Sequence, residues 1–211
     1  MNETKIKICG LSRIQDIEYV NESLPDFIGF VFAKSRRQVG PEAAEKLKAS
    51  LDSRIKAAGV FVNEDTALIK SLCSNGIIDY IQLHGDEDNE YIAILKTQLE
   101  KANCSRPIIK AVRVKDTVTL NTAGLFDSDF LLLDTFTGEE YGGTGETFDW
   151  KLAAGVNRPF FLAGGLQYDN ILQAVKTARP FCVDISSGVE TNGLKDRTKI
   201  KNIVKLIRSV K

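Results

Sequence analysis

The chain has 211 residues, with 28 lysines and arginines, 28 aspartates and glutamates and one histidine, so its formal net charge is zero. A hydrophobic content of 43% is typical of a globular protein that buries a core. The balanced charge argues against a nucleic-acid-binding protein, which carries a clear basic excess. No apolar run approaches the ~20 residues of a membrane span, and the first residues lack the apolar segment of a signal peptide. We therefore expect a cytoplasmic protein.

Four cysteines stand far apart in the chain, at Cys9, Cys73, Cys104 and Cys182. They form no Cys-x-x-Cys pair, and only His84 is available to join them, which argues against a structural zinc site. A disulfide framework is not expected in a chain of this length without a secretion signal. Each cysteine is therefore considered separately. Without further information we expect a free cysteine to be a small buried apolar side chain.

Short apolar runs alternate with stretches of helical character along the whole chain. Strands are predicted near residues 5–8, 27–32, 56–62, 80–83, 108–112, 130–133, 160–162 and 181–185. Helices are predicted over 13–22 with Ser12 as cap, 42–50 behind Pro41, from Asp65 or Thr66 to before Gly76, and over 88–101, 117–123, 150–154, 169–178 and 196–211. The strands are rich in Ile, Val, Leu and Phe and alternate poorly, as expected of strands buried on both faces.

Eight strand-then-helix units in succession predict a parallel sheet closed into a (β/α)8 TIM barrel, with residues 1–211 as its single domain. The alternative is an open doubly wound sheet, which expects a glycine-rich phosphate fingerprint in the first strand–helix turn. Residues 9–12 (Cys-Gly-Leu-Ser) do not match that fingerprint. The glycine-rich segment 142–145 also lacks the Lys-Ser/Thr ending of a P-loop.

Enzymes with this fold place their chemistry at the carboxyl ends of the strands. Every predicted strand is followed by polar, reactive or glycine residues, namely Cys9, Lys34 to Arg37, Asn63, Gln82 with His84, Arg113, Asp134, Gly164 with Gly165, and Ser186, Ser187 and Gly188. The glycines and serines after strands seven and eight indicate a phosphate site built from backbone N–H groups and hydroxyls. Two ordinary tight turns are the alternative interpretation.

Three of these side chains could take part in acid–base chemistry, and each has a second interpretation. Asp134 follows four apolar residues, so burial would keep it protonated as a general acid, or it anchors the next loop. Cys9 is a base or nucleophile if nearby positive charge lowers its pKa, or a small buried residue. His84 donates a hydrogen bond to a substrate or satisfies a loop carbonyl.

Eight short motifs in order carry a resemblance to a known family. They lie at residues 7–10 (Lys-Ile-Cys-Gly), 29–37, 59–63 (Gly-Val-Phe-Val-Asn), 82–85 (Gln-Leu-His-Gly), 133–135 (Leu-Asp-Thr), 142–150, 162–166 (Leu-Ala-Gly-Gly-Leu) and 183–190. Together they resemble the phosphoribosylanthranilate isomerase family, from Lys5 to the final helix.

The resemblance implies a small barrel enzyme of tryptophan biosynthesis. The reaction it implies converts N-(5-phosphoribosyl)anthranilate to 1-(o-carboxyphenylamino)-1-deoxyribulose 5-phosphate by an Amadori rearrangement, without a metal or organic cofactor. It implies Cys9 as general base, Asp134 as general acid and Arg37 as the ligand of the anthranilate carboxylate. The loop before Arg37 is one residue shorter than the family pattern, which leaves Arg36 as the alternative. Adjacent residues of an extended stretch point in opposite directions, so we expect only one of the two arginines to face the site.

The substrate-binding residues expected at this site are Arg37, Gln82, His84, Gly164, Gly165, Ser186, Ser187 and Gly188. The expected partner is a small phosphosugar, with no nucleic acid and no membrane, and the sequence permits a monomer or a homodimer.

Other phosphosugar barrels fit the sequence less well. A metal-dependent epimerase needs several histidines, and this chain has one. An indole-glycerol-phosphate synthase needs a catalytic lysine in the barrel, and no predicted strand ends in a lysine except at Lys34. A bifunctional isomerase of histidine precursors shows paired aspartates, one of them at strand one, which here ends in Cys9. A non-catalytic barrel that senses phosphosugars is the alternative from another class, and a turnover assay separates it from an enzyme.

Overall fold

The computed structural model of the protein describes residues 3–135 and 149–209. Eight parallel strands pair in chain order, and the first strand also pairs with the eighth, which closes the barrel. The strands are β1 (Lys5–Cys9), β2 (Phe27–Val31), β3 (Lys56–Phe61), β4 (Tyr80–Leu83), β5 (Ile108–Val114), β6 (Phe130–Thr135), β7 (Phe160–Leu162) and β8 (Cys182–Ile185). The predicted (β/α)8 barrel is therefore confirmed.

A helix follows each strand and packs on the outside of the barrel. The helices are α1 (Ile14–Ser23), α2 (Pro41–Ala49), α3 (Thr66–Ser74), α4 (Asn89–Lys101), α5 (Thr117–Ala123), α6 (Trp150–Ala153), α7 (Ile171–Ala178) and α8 (Arg197–Arg208). A 3-10 turn (Ser187–Val189) and a short antiparallel pair, β9 (Glu190–Thr191) and β10 (Leu194–Lys195), lie between β8 and α8. Within the described residues, no helix is long and apolar enough to cross a membrane.

Helix beginnings follow the predicted capping residues with one exception. Asp65 caps α3 by accepting a hydrogen bond from the Ala67 amide. The prediction that Ser12 caps α1 is wrong, because the helix begins at Ile14. The backbone amides of Ser12 and Arg13, which precede the helix, both donate to the carboxylate of Asp16 in its first turn, so this carboxylate reaches back and holds the chain where it enters the helix.

An aromatic cluster fills the amino-terminal end of the barrel interior. Its rings belong to Phe27, Tyr80, Phe130, Phe161 and Phe181, with neighbouring centroids 5.0 to 6.4 Å apart. Edge-on and tilted contacts of this kind bury large apolar area. These rings therefore fill part of the barrel interior with apolar contacts.

Strand β1 illustrates how the interior becomes polar. Ile6 and Ile8 belong to the apolar layer between strands and helices, whereas Lys7 points into the barrel and is fully buried. Side chains on a strand alternate between its two faces, so Cys9 shares the inward face with Lys7. The prediction of strands buried on both faces is therefore confirmed for β1, although one of its buried side chains is charged.

Candidate active site

Cys9 ends β1 at the mouth of the barrel, where its side chain is partly buried. Gly29 of β2 is its register partner. A Cβ atom at Gly29 would lie 2.6 Å from the Cys9 Sγ, so only glycine leaves room for the sulfur in this position. The sequence at β2 thus fixes where the thiol can sit.

Charged groups from three strands surround the Cys9 thiol. Burial raises its pKa above the ordinary value and Asp184 adds to the rise, while Lys7 and Lys195 oppose it. The net direction is upward. The positive charge that would favour a thiolate is present, but burial outweighs it.

Asp134 and His84 lie side by side across the mouth. Asp134, in β6, is 7% exposed, and its Oδ2 is 3.3 Å from His84 Nε2. His84 directly follows β4, and its Nδ1 is 2.9 Å from Gln82 Nε2. The imidazole is therefore held between an amide and a carboxyl group. Neither of these contacts is the loop carbonyl that one interpretation of the sequence assigned to His84.

Gln82 lies beneath the mouth and is 1% exposed. Its Oε1 accepts a hydrogen bond of 2.8 Å from Lys7 Nζ, and its Nε2 is the group that meets His84. Both ends of the amide are thus occupied by protein groups. Of the predicted binding residues, Gln82 is the one that the structure places below the surface of the site.

Arg37 is anchored beside Cys9 by the carboxylate of Glu190. Arg37 Nε and Nη2 donate to the two oxygens of Glu190 at 2.7 and 3.0 Å. Its side-chain methylenes cover Gly10, the residue after Cys9, where a Cβ atom would overlap Arg37 Cδ. The Arg37 side chain is 19% exposed, compared with 59% for Arg36. Arg37 therefore lies at the mouth beside the thiol.

The expectation that Arg36 and Arg37 point in opposite directions is wrong. It assumed an extended stretch, but residues 36 and 37 form a turn. Arg36 Nη2 also donates to Glu190, at 2.8 Å. Both guanidinium groups consequently bind one carboxylate. The two arginines differ in the exposure of their side chains and not in the direction in which they point.

The loops after β7 and β8, each predicted to bind phosphate, pack directly on one another. Gly164 and Gly165 adopt positive φ values of 83° and 61°, a region that favours glycine. A Cβ atom at Gly188 would overlap the carbonyl oxygen of Leu166, so glycine permits the close approach. Ser186 Oγ donates to the Cys9 carbonyl at 3.1 Å, while Ser187 begins the 3-10 turn. The structure thus brings these predicted residues together beside β1.

The glycine-rich segment 142–145 lies outside the described residues. In the part of the chain that the structure describes, no group of three or more His, Cys, Asp or Glu side chains is arranged to hold a metal ion.

Five residues of the site were not singled out from the sequence: Lys7, Gly29, Asp184, Glu190 and Lys195. Lys7 and Asp184 form a buried ion pair of 2.7 Å between β1 and β8. Lys195 Nζ donates to Glu190 Oε1 at 2.8 Å and to the Ser186 carbonyl at 2.9 Å. A charged residue at an inward position of an otherwise apolar strand is the signal that could have identified Lys7 and Asp184.

The fold and the site together define a (β/α)8-barrel enzyme whose mouth carries a thiol, a carboxyl group and an anchored arginine. The family model of N-(5'-phosphoribosyl)anthranilate isomerase matches residues 6–206. The chain therefore belongs to this family.

Relatives and solved structures agree with this assignment over the whole length. The N-(5'-phosphoribosyl)anthranilate isomerase of Endomicrobium trichonymphae is 48% identical over 206 residues, which covers 98% of this chain and 99% of the relative. The phosphoribosyl anthranilate isomerase of Thermotoga maritima is 36% identical, with a TM-score of 0.82 and coverage of 98% and 100%.

Two further structures of the family carry information on ligand and assembly. One is a complex with reduced 1-(o-carboxyphenylamino)-1-deoxyribulose 5-phosphate, at 34% identity, a TM-score of 0.80 and coverage of 98% and 100%. The other contains monomers generated from the dimeric Thermotoga maritima protein, at 34% identity, a TM-score of 0.79 and coverage of 98% and 100%.

Proposed function

We propose that the protein isomerises N-(5-phosphoribosyl)anthranilate to 1-(o-carboxyphenylamino)-1-deoxyribulose 5-phosphate, a step of tryptophan biosynthesis. The observation that carries the proposal is the placement of Cys9 and Asp134 at the ends of β1 and β6, on one barrel mouth. An Amadori rearrangement needs one group to give a proton and another to take one, and these two side chains supply that pair.

In the proposed reaction, Asp134 gives its proton to the ring oxygen of the furanose. The C1′–O bond breaks, its electron pair stays on the oxygen as the 4′-hydroxyl, and the lone pair of the nitrogen forms the C1′=N bond of an iminium. Cys9, as thiolate, then takes the proton from C2′, and the electron pair of that C–H bond neutralises the iminium to give an enolamine. Tautomerisation moves a proton from the 2′-hydroxyl to C1′ and yields the ketone. Exchange with solvent returns the proton from Cys9 to Asp134.

Burial opposes the thiolate of Cys9 in the free enzyme, so the charge of the reacting molecule matters. The iminium carries a positive charge beside C2′, and it acidifies the proton that Cys9 removes. That charge acts in the same direction as Lys7 and Lys195, which favour the thiolate. The thiolate form of Cys9 is therefore most favoured at the step that needs it.

Two groups would hold the ends of the substrate. Glu190 accepts from Nε and from Nη2 of Arg37, so the two N–H groups of Nη1 and the second N–H group of Nη2 are left for the anthranilate carboxylate. The phosphate would bind at the glycines after β7 and the turn after β8, through backbone N–H groups and the Ser187 hydroxyl, because the Ser186 hydroxyl donates to the Cys9 carbonyl. His84 would lie beside the ring oxygen because it contacts Asp134.

The same proposal includes one domain over residues 1–211, a cytoplasmic location and a small phosphosugar as the partner, without nucleic acid, membrane or cofactor. A monomer and a homodimer remain the two assemblies to distinguish, by sedimentation of the purified protein.

A turnover assay tests the proposed function. Purified protein mixed with phosphoribosylanthranilate should remove the fluorescence of the substrate, and EDTA should leave the rate unchanged. A gene for this chain should also restore growth without tryptophan to a strain that lacks only this step. Binding without turnover would support the sensor alternative, and a strict requirement for a divalent ion would contradict the metal-free part of the proposal.

A further inference from the structure

A continuous row of polar side chains crosses the barrel interior beneath the mouth, joined by three hydrogen-bond contacts and one approach of 3.3 Å. Asp184 Oδ2 accepts from Lys7 Nζ at 2.7 Å, and Gln82 Oε1 accepts from the same ammonium at 2.8 Å. Gln82 Nε2 lies 2.9 Å from His84 Nδ1, and His84 Nε2 lies 3.3 Å from Asp134 Oδ2. The row therefore ends on the carboxyl group assigned as the general acid.

The chemistry of Lys7 fixes the orientation of the Gln82 amide. Burial alone would lower the pKa of Lys7, but Asp184 and Cys9 beside it bring the net pKa above its ordinary value. Lys7 thus remains an ammonium, which has three donors and no acceptor. Only the oxygen of Gln82 can face it, so the NH₂ group of Gln82 must face His84.

The orientation of Gln82 in turn fixes the histidine. An amide NH₂ group donates, so His84 Nδ1 must accept and carries no proton. In a neutral imidazole the proton is then on Nε2, which faces Asp134 Oδ2. Because Oδ2 faces this N–H group at 3.3 Å, it is the poorer place for the acid proton, and Oδ1 is the better one.

We propose that Lys7 and Gln82 are positioning residues for Asp134. They hold His84 as its Nε2–H tautomer, and the Nε2–H group orients the Asp134 carboxyl so that its acidic proton lies on Oδ1. The role of Asp134 as acid rests on the proposed function, whereas the tautomer of His84 is a property of the protein without substrate.

The tautomer can be measured directly, because His84 is the single histidine of the chain. Protein labelled with ¹⁵N-histidine gives one imidazole, whose two nitrogens are distinguished by their shifts and by their couplings to the ring protons. The wild type at neutral pH should show a protonated Nε2 and an unprotonated Nδ1. A ring protonated on Nδ1, alone or together with Nε2, would overturn the proposal.

Gln82→Glu tests whether the amide sets the tautomer. A carboxylate only accepts, so in this variant Nδ1 should become protonated. The value of kcat should fall by at least about tenfold, within the 10²–10⁴-fold that a positioned acid contributes, while KM stays within about twofold. Gln173→Glu, the same exchange on an exposed position of α7, should change neither signal nor rate. An unchanged tautomer in Gln82→Glu would contradict the proposal, and if this variant does not fold, the wild-type spectrum decides.

The contribution of Lys7 needs a variant that leaves no unpaired buried charge. Lys7→Met combined with Asp184→Asn removes both members of the ion pair and frees the Gln82 amide to rotate. Both neutral tautomers should then appear in the spectrum, and kcat should fall. A spectrum that remains purely Nε2–H would exclude Lys7 as the anchor. A wild-type protein with the expected tautomer and no turnover would refute the proposed function and leave the tautomer assignment standing.

Discussion

Arg37 donates two hydrogen bonds to the carboxylate of Glu190, from Nε to Oε1 at 2.7 Å and from Nη2 to Oε2 at 3.0 Å. Glu190 begins β9, so this pair ties the loop after β2 to the segment after β8. Lys195 holds Glu190 from the other side at 2.8 Å. A guanidinium fixed in this way loses little further freedom when it binds a second carboxylate.

The first prediction separates Arg37 from Arg36. Arg37→Ala should lower kcat/KM by roughly 10²-fold, because a desolvated pair with the anthranilate carboxylate is lost. Arg36→Ala should lower it by less than about threefold, because an exposed ion pair contributes little. Steady-state kinetics of both variants measure this. The opposite order would assign the carboxylate to Arg36, and two unaffected variants would make Arg113 the next residue to test.

The second prediction concerns the stability of the Glu190 cluster as pH falls. Although burial alone would raise the pKa of Glu190, its bonds with Arg37 and Lys195 bring it below the ordinary 4.5. An acid with a lowered folded-state pKa stabilises the protein above its unfolded-state pKa, and that contribution is lost as pH falls through the folded-state value. The Tm difference between wild type and Glu190→Gln should therefore have its largest value at pH 7 and decrease below about pH 4.5.

Thermal unfolding of both proteins from pH 7 to pH 3 measures this effect. Glu45→Gln, on the exposed face of α2, serves as the control and should give a small difference from wild type at every pH. A Tm difference for Glu190→Gln that grows on acidification would contradict the prediction.

The strands could be predicted because the signals that define them are local. Residues 160–162 were predicted as a strand between Pro159 and a glycine pair, and β7 occupies these residues. Lys7 and Asp184 show what local signals miss. Their partnership joins residues 177 positions apart, and only closure of the barrel brings β1 against β8. A charged side chain within an apolar strand identifies an unusual position, but its partner depends on register.

The sequence predicts where Cys9 and Asp134 lie in the fold, but it does not predict the groups that surround them. Strand ends and family motifs both point to Cys9 and Asp134. Nothing near Cys9 in sequence reveals that Gly29 makes room for its sulfur, or that Lys195 approaches from a separate two-stranded element. The directions of the Arg36 and Arg37 side chains could not be predicted either, because residues 36 and 37 form a turn and not the extended stretch expected from the sequence.

The third prediction tests the acid and the base. Cys9→Ala and Asp134→Asn should each lower kcat by about 10²–10⁴-fold, the usual contribution of a positioned acid or base. Both side chains lie at the mouth rather than in the apolar core, so Tm should change little. Cys104→Ala removes a buried cysteine outside the mouth and should retain normal turnover. Near-normal kcat in Cys9→Ala would mean that another group is the base.

The fourth prediction uses Gly29 to displace the thiol without removing it. The methyl group of Gly29→Ala would lie 2.6 Å from Cys9 Sγ and 3.2 Å from Cys9 Cα, so the sulfur must move. A displacement of about 1 Å in a reacting group can lower the rate by about 10²-fold. We therefore expect kcat of Gly29→Ala to fall by up to about that factor, while KM changes little. Gly40→Ala is the matched control, because a Cβ atom there has no neighbour within 4 Å.

The double variant makes this prediction specific to the sulfur. Once Cys9→Ala has removed the sulfur, adding Gly29→Ala has little left to displace, so the double variant should turn over at nearly the rate of Cys9→Ala alone. Residues in direct contact show such non-additive effects, whereas independent ones add. If the two losses multiply instead, Gly29 acts on the barrel mouth by a route other than Cys9, and the close contact between them does not control the base.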